Sequence, residues 1–190
     1  MITAESWKID FWLIYDIIIK QMMNITYQRK NVSSNTQAGK DFEEFVNSFF
    51  VSNNIFLEKQ KKIEIGLNSK KEHAFDFGND RILIECKTHT WTETGNPPSA
   101  KLKNWSEAMF LFYLTPSKYK KIFAVDMDYN QKKCKTLLEY FIEHYYYLIP
   151  SDVILIDLYT KCENYEVYKY DEKSKMHKKT QKEELWKFIK

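Results

Sequence analysis

A carboxylate and an ammonium group stand two residues apart at the end of an apolar segment. Residues 81–84 are followed by Glu85, Cys86 and Lys87. Successive side chains of a β-strand point to opposite faces, so Glu85 and Lys87 share one face and Cys86 lies on the other. A further acid, Asp76, precedes a Gly-Asn-Asp turn signal that would fold its strand back beside this one. The pattern predicts three charged groups at one edge of a sheet.

Such a set of groups suits metal-dependent hydrolysis of a phosphodiester bond. The reaction needs a positioned water, neutralisation of charge on the scissile phosphate and help for the departing oxygen. Mg²⁺ is held by one or two carboxylates and keeps several waters, and Asp76 and Glu85 are ligands of this type. The main-chain carbonyl of Cys86 would complete the shell, and Lys87 would stabilise the developing negative charge. Two carboxylates this close repel one another, so the site is expected to require the metal.

A second source of acids is the helix that we expect over residues 36–52. Its apolar side chains recur at helical spacing, namely Phe42, Phe45, Val46, Phe49 and Phe50. At about 100° per residue, Glu43 falls at the edge of this apolar stripe and Glu44 falls opposite it. Glu43 is therefore the acid of this helix that would lean over a site.

The remaining pattern predicts alternating helices and strands. Helices are expected over residues 6–25, from Ser99 as N-cap, over a stripe from Cys134 to Tyr145, and over 181–189, with a loop over 29–37. Strands are expected over residues 55–65, 72–77, 81–88, 122–125 and 153–158, with an edge strand over 165–170. This order predicts an α/β sandwich with a central mixed β-sheet flanked by helices. Residues 1–35 would form an N-terminal helical extension and residues 36–190 the main domain.

Composition restricts the class of protein. The chain has 190 residues and a net charge of +3, which is weakly basic and typical of a globular domain. Three cysteines without a CxxC pair argue against a disulfide framework or a zinc site, and indicate a reducing, cytoplasmic compartment. Charged residues interrupt the apolar stretch 9–25, so no membrane span is expected. The absence of GxxxxGK[ST] and GxGxxG argues against a nucleotide cofactor.

Polar and aromatic residues that follow the Glu85 strand are candidate DNA contacts. His89 shares the face of Glu85 by alternation, and it contacts a phosphate or is a solvated strand-end histidine. Trp91 contacts a phosphate or sugar, or packs to close its loop. Ser99 and Lys101 open a helix whose N-terminus favours phosphate, although a simple N-cap explains Ser99 equally well. Alternation places His73 on the face opposite Asp76, which favours a structural or DNA-facing role.

The order of these groups resembles that of the PD-(D/E)XK nuclease superfamily, which includes many type II restriction endonucleases and the archaeal Holliday-junction resolvases. That pattern is a helix acid, an Asp at a strand end and (D/E)-x-K on the next strand. Here it is Glu43, then Asp76, then Glu85 followed two residues later by Lys87. The resolvases carry a Gly four residues before the helix acid, as Gly39 stands here. The resemblance implies that Asp76 and Glu85 bind the metal. It also implies that Lys87 assists the water and that Glu43 supports the metal shell, possibly through water.

The resemblance covers residues 39–158 and implies a restriction endonuclease-like fold and function. We expect a Mg²⁺-dependent DNA endonuclease of the type II restriction kind acting on double-stranded DNA, with Mn²⁺ as an alternative ion. A single active site cuts one strand, so double-strand cleavage would need a homodimer or a partner subunit. Two alternatives stay open. One is a structure-selective repair or recombination nuclease such as a Holliday-junction resolvase, and the other is a catalytically inactive DNA-binding relative.

Overall fold

The computed structural model describes residues 32–160 and 164–190, within the compact unit Val32–Lys190. Its helices are α1 Val32–Ser52, α2 Ser99–Leu114, α3 Leu137–Tyr145 and α4 Glu183–Ile189, with a 3₁₀ turn at Tyr146–Leu148. Its strands are β1 Glu58–Ile65, β2 Lys71–Gly78, β3 Ile82–Lys87, β4 Lys120–Asp126, β5 Tyr129–Asn130, β6 Lys135–Thr136, β7 Val153–Tyr159, β8 Asn164–Asp171 and β9 Met176–Thr180. The helix predicted over residues 6–25 lies outside the described residues. No described helix is long and apolar enough to cross a lipid bilayer.

Seven strands form one mixed sheet in the order β1-β2-β3-β4-β7-β8-β9. The central strands β3, β4 and β7 are parallel, and the strands outside them pair antiparallel at both ends of the sheet. Parallel neighbours need crossover helices, which α2 and α3 supply. The predicted α/β class, with a central mixed sheet flanked by helices, is confirmed.

Each face of the sheet is covered by helices, and each has its own core. One face packs against α2 and α3 through a cluster that includes Leu83, Phe123 and Leu155 of the sheet. The other face packs against α1 and α4. Because both faces are covered, the central strands read as nearly continuous apolar runs. Burial on two sides places the ends of these strands in fixed positions, where polar side chains can be held.

Two helix starts differ from the prediction. Helix α1 begins at Val32, so the loop predicted over residues 29–37 is wrong from Val32 onward. The polar residues of that segment lie in the first turns of the helix, although Ser and Asn have a lower helix propensity than Ala or Leu. Ser99 is not an N-cap, because Pro98 occupies that position and makes no side-chain capping bond. The Pro98 carbonyl instead accepts the Lys101 N–H at 2.8 Å and closes the first turn.

Two further differences arise on the C-terminal side. Cys134 does not belong to α3: it lies in the preceding turn with φ +51°, and Thr136 caps the helix through a capping box with Glu139. The strand predicted over residues 165–170 is not an edge strand, because β9 pairs outside it. Strand β9 was not predicted because it contains two lysines and only one buried residue, His177, so its sequence shows no clear apolar alternation.

A buried ion pair at the start of β4 leads to the first testable expectation. The Lys121 side chain is 3% exposed, and its Nζ lies 2.6 Å from Asp152 Oδ2. Asp152→Ala would leave a buried ammonium without its partner, so we expect the free energy of unfolding to fall by about 2 kcal/mol. Urea denaturation would measure this change. Lys121→Met with Asp152→Ala should recover most of the loss, and an unchanged midpoint for Asp152→Ala alone would contradict the prediction.

Candidate active site

The Asp76 carboxylate lies where the pairing of β2 with β3 ends. Within the described strands the ladder covers two residue pairs, and Phe77 with Ile84 is the last of them. Beyond this point Asp76 Oδ2 accepts the main-chain N–H of Cys86 at 2.8 Å. A side-chain carboxylate thereby satisfies a strand N–H that a neighbouring main-chain carbonyl would otherwise accept. Asp76 is fixed beside β3 at the end of the ladder.

The neighbouring pairing of β1 with β2 is also irregular at this level. Lys59 pairs with Phe77 and Lys61 with Phe75, while Gln60, with φ +53°, and Asp76 are absent from the register. Phe75 packs in the core under α2, whereas Phe77 packs in the core under α1. Side-chain alternation therefore breaks at Asp76.

His73 is affected by this break, because strict alternation cannot be extended across Asp76. Its ring meets that of Phe75 edge-on at 4.8 Å, on the α2 face. Burial lowers the pKa of His73, the negative charge of Asp76 opposes this shift, and the Lys87 ammonium reinforces it. The sequence places His73 on the face opposite Asp76, and its ring packs against Phe75 on the α2 face, with Asp76 and Lys87 both among the charges that affect its pKa.

Glu85 and Lys87 close the end of β3 as an ion pair. Lys87 Nζ donates to Glu85 Oε1 at 2.6 Å, and the two side chains are 20% and 12% exposed, respectively. Burial raises the pKa of Glu85, as does the charge of Asp76, and the Lys87 ammonium opposes both. Burial disfavours the Lys87 ammonium, but the neighbouring Glu85 and Asp76 outweigh it and raise the pKa of Lys87. Lys87 is therefore a charged, partly buried hydrogen-bond donor.

Cys86 points to the opposite core, as alternation predicts. Its side chain is buried among residues of the α1 face. Burial raises the pKa of the Cys86 thiol well above its usual range, and the nearby acids act in the same direction. The thiol is a core group, so Cys86 would contribute to the site only through its main chain.

Helix α1 brings a third acid within electrostatic reach. Glu43 is half-buried and Glu44 is exposed, in agreement with the helical wheel. Burial raises the pKa of Glu43, and the negative charge of Asp76 raises it further, while Lys59, Lys87 and Lys40 act in the opposite direction. The structure thus brings Glu43, Asp76, Glu85 and Lys87 into one electrostatic neighbourhood.

This arrangement is acid-rich, but it is not a closed metal cage. Across residues 32–160 and 164–190, no three His, Cys, Asp or Glu side chains form a group that could hold a metal ion. A divalent ion would therefore have to draw on the carboxylates of Asp76 and Glu85 together with main-chain and water oxygens. Mg²⁺ accepts such a mixed set of oxygen ligands, because it retains several waters in protein sites. Glu43 would act at longer range, by charge or through water.

The proposed DNA contacts fall into two groups. His89 and Trp91 are engaged within the fold: His89 Nδ1 accepts the indole N–H of buried Trp105 at 2.7 Å, and Trp91 packs edge-on against Tyr140 at 5.3 Å. Ser99 and Lys101 are exposed at the start of α2. The first pair shapes the loop beside the site, and the second pair is accessible to a ligand.

Two features of the site escaped sequence reasoning. Lys59 and Lys40 both affect the pKa of Glu43, although the sequence indicates only that the lysines of residues 59–62 form a solvated face or part of a nucleic-acid footprint. His73 Nε2 is buried without a hydrogen-bond partner among the described residues. No sequence signal distinguishes these groups, because their neighbours come from other elements of the fold. A lysine flanking an acidic helix position is too common a pattern to indicate a site.

Comparison with known proteins does not add to this description. No protein-family model, no curated protein and no solved structure matches the chain. The interpretation of the site therefore depends on its own geometry, which consists of an acid at the end of a ladder, an adjacent Glu–Lys ion pair and a helix acid whose pKa is affected by Asp76 and Lys87.

Proposed function

We propose that the chain is a Mg²⁺-dependent DNA endonuclease with a restriction endonuclease-like fold, of the type II restriction kind. One observation carries the proposal. Asp76 replaces a main-chain partner at the end of the β2–β3 ladder and is thereby held beside the buried Glu85–Lys87 pair. A purely structural Glu85–Lys87 ion pair would not require a second carboxylate, Asp76, whose charge raises the pKa values of Glu85 and Glu43. The combination of two acids, one ammonium and a helix acid supports phosphodiester hydrolysis.

Each side chain has a distinct part in this mechanism. Asp76 and Glu85 would hold the ion with the main-chain carbonyl of Cys86, and the bound ion would neutralise phosphate charge and acidify water. Lys87 donates hydrogen bonds to the attacking water or to a non-bridging phosphate oxygen, where negative charge develops. Glu85 orients the Lys87 ammonium through the 2.6 Å contact. Glu43 adds negative charge that favours a cation in the site.

Double-stranded DNA is the proposed substrate, and the site of one chain accounts for cleavage of one strand. Cutting both strands would require a homodimer or a partner subunit. Lys87 and Glu85 lie at the carboxyl end of a parallel strand, the edge at which α/β sheets commonly bind ligands. Loops follow the carboxyl ends of the parallel strands, and these loops would lie against the duplex.

A structure-selective nuclease, such as a Holliday-junction resolvase, is the second candidate. Gly39 lies inside α1, where Gly is disfavoured by about 1 kcal/mol relative to Ala. A Cβ at Gly39 would meet no described atom within 4 Å, so packing does not require glycine there. A small residue one turn before Glu43 is consistent with close approach of a nucleic-acid backbone. A catalytically inactive DNA-binding relative would have no need of the intact acid–acid–lysine set.

Incubation with supercoiled plasmid, linear duplex and a four-way junction in Mg²⁺ tests the proposal. Discrete bands indicate restriction, a smear indicates nonspecific cleavage, and selective junction cutting indicates the second candidate. Asp76→Asn retains an oxygen that can accept the Cys86 N–H but lacks the charge, so we expect a folded protein with cleavage reduced by at least about 100-fold. Asp80→Asn, in the exposed turn nearby, is the matched control. Equal cleavage by wild type and Asp76→Asn would overturn the assignment.

A further inference from the structure

Two loops leave the sheet at the edge where Glu85 and Lys87 lie. Strands β3 and β4 are parallel, with Lys87 opposite Val125, so residues 88–98 and residues 127–136 both start from this edge. The second segment contains the β5–β6 hairpin. We refer to residues 88–98 and 127–136 together as the loop wall.

Specific hydrogen bonds join the two halves of the loop wall. The Trp91 main-chain N–H donates to Asp128 Oδ2 at 2.6 Å, and its indole N–H donates to the Asp128 carbonyl at 3.1 Å. On the other side, the Asn130 side-chain amide donates to the Gly95 carbonyl at 3.2 Å. Because three bonds connect the segments at two places, the hairpin is held in one position before any ligand arrives. Such pre-organisation lowers the entropic cost of binding.

The hairpin turn presents lysines that no described acidic residue neutralises. Lys132 and Lys133 are exposed, and neither forms an ion pair with another described residue, although Lys133 Nζ lies 5.9 Å from the Trp91 ring centroid. On β8 and β9, by contrast, lysines are paired with acids, as in the contacts Lys169–Glu184, Lys178–Asp171 and Lys179–Glu166. The two hairpin ammonium groups therefore remain available to an external anion.

The chemistry of the groups indicates which anion. Lysine is a compact point charge that suits single phosphate oxygens, whereas arginine presents a planar fork that matches phosphates and guanine edges bidentately. The chain contains two arginines, at positions 29 and 81, and neither lies in the loop wall. Exposed Lys101 and Lys103 of α2 follow directly after the first half of the wall and extend the basic surface. The loop also carries one exposed acid, Glu93, so the positive charge is concentrated on the hairpin and α2.

We propose that the β5–β6 hairpin binds the phosphate backbone of duplex DNA beside the scissile phosphate, with Lys132 and Lys133 as the contacting groups. This inference rests on the proposed function and adds a substrate-binding element to it. Contacts to the backbone position a duplex without reading its sequence. The hairpin therefore sets the register of the strand against Lys87, and sequence discrimination lies elsewhere.

Lys132→Gln with Lys133→Gln tests the assignment, and the β8–β9 turn supplies a matched control. Lys173→Gln with Lys175→Gln removes the same charge from a turn at the other end of the strands. Each of the two turns contains one residue with a positive φ, Cys134 at +51° and Lys175 at +56°. Fluorescence anisotropy with a labelled duplex in EDTA measures affinity without cleavage. We expect the hairpin variant to bind about tenfold more weakly at ~0.1 M salt, with the slope of log K against log salt reduced by about 2. The control variant should bind as wild type does.

The possible outcomes separate this inference from the proposed function. Equal affinities and slopes for both variants overturn the hairpin assignment, even when wild type cuts DNA. A loss of DNA affinity in the hairpin variant but not in the control supports the hairpin assignment. That result would stand even if the wild type failed to cut DNA in Mg²⁺, an outcome that would overturn only the proposed nuclease activity. A wild-type chain that neither binds nor cuts duplex DNA overturns both.

Discussion

Lys87→Met is expected to reduce Mg²⁺-dependent DNA cleavage by about 10²- to 10³-fold, the usual loss when one donor to the developing charge is removed. Methionine keeps the apolar stem of the side chain and removes the ammonium. The Glu85 carboxylate, 12% exposed, then loses its partner at 2.6 Å. Burial and Asp76 already raise the pKa of Glu85, so without Lys87 the carboxyl is expected to take up a proton more readily. Single-turnover cleavage of plasmid DNA measures the effect.

Two comparisons distinguish a reacting group from a structural one. Lys62→Met changes an exposed lysine of β1 that pairs with Glu72 at 2.8 Å, and it should leave cleavage unchanged. Lys87→Met alone leaves the buried Glu85 carboxylate without its partner and should lower the free energy of unfolding. Lys87→Met with Glu85→Gln removes both charges, so it should restore that stability without restoring cleavage. Duplex binding should persist in all three proteins. Wild-type cleavage rates for Lys87→Met would mean that Lys87 takes no part in the reaction.

Asp157→Asn is expected to stabilise the fold, and the gain should grow as the pH rises. Asp157 of β7 is 0% exposed, and neither carboxyl oxygen has a hydrogen-bond partner within 3.5 Å among the described residues, although the Thr136 hydroxyl is close enough to affect the carboxyl. It lies directly across from Glu166 in the β7–β8 register. Burial raises the pKa of Asp157 well above its usual range; the Thr136 hydroxyl opposes this shift, and Glu166 is among the acids that reinforce it.

The sign of the pH effect follows from proton linkage. The folded state holds the Asp157 proton more tightly than the unfolded chain does, so stability falls as the pH rises above the unfolded pKa of about 4. An amide does not titrate, and Asp157→Asn removes this loss. At pH 7 we expect a gain of roughly 1–3 kcal/mol in the free energy of unfolding.

Urea denaturation at pH 5 and pH 8 measures the difference between Asp157→Asn and wild type. The exposed Asp80→Asn variant serves as control and should shift the midpoint little at either pH. A midpoint for Asp157→Asn that is below wild type at both values, or a gain that shrinks with rising pH, would show that the carboxylate has a partner in the folded state.

Local periodicity was sufficient for much of this protein. The apolar stripe of helix α1 distinguishes half-buried Glu43 from exposed Glu44. Alternation along β3 assigns Glu85 and Lys87 to one face and Cys86 to the other core. The alternation of helices and strands predicts the mixed sheet. These inferences succeed because side-chain direction within one element depends on backbone geometry alone.

Features that join distant parts of the chain required the folded structure. The bond from the Cys86 N–H to Asp76 forms where the β2–β3 ladder ends, and alternation gives no sign of where that ladder ends. The attachment of Trp91 to Asp128 joins residues 37 positions apart. The complete burial of the Asp157 carboxyl could not be predicted from the pattern of its apolar strand. Residue types and their spacing therefore indicate which groups are available for chemistry, while long-range packing sets their neighbours, charges and accessibility, because each contact depends on chain segments that no local pattern contains.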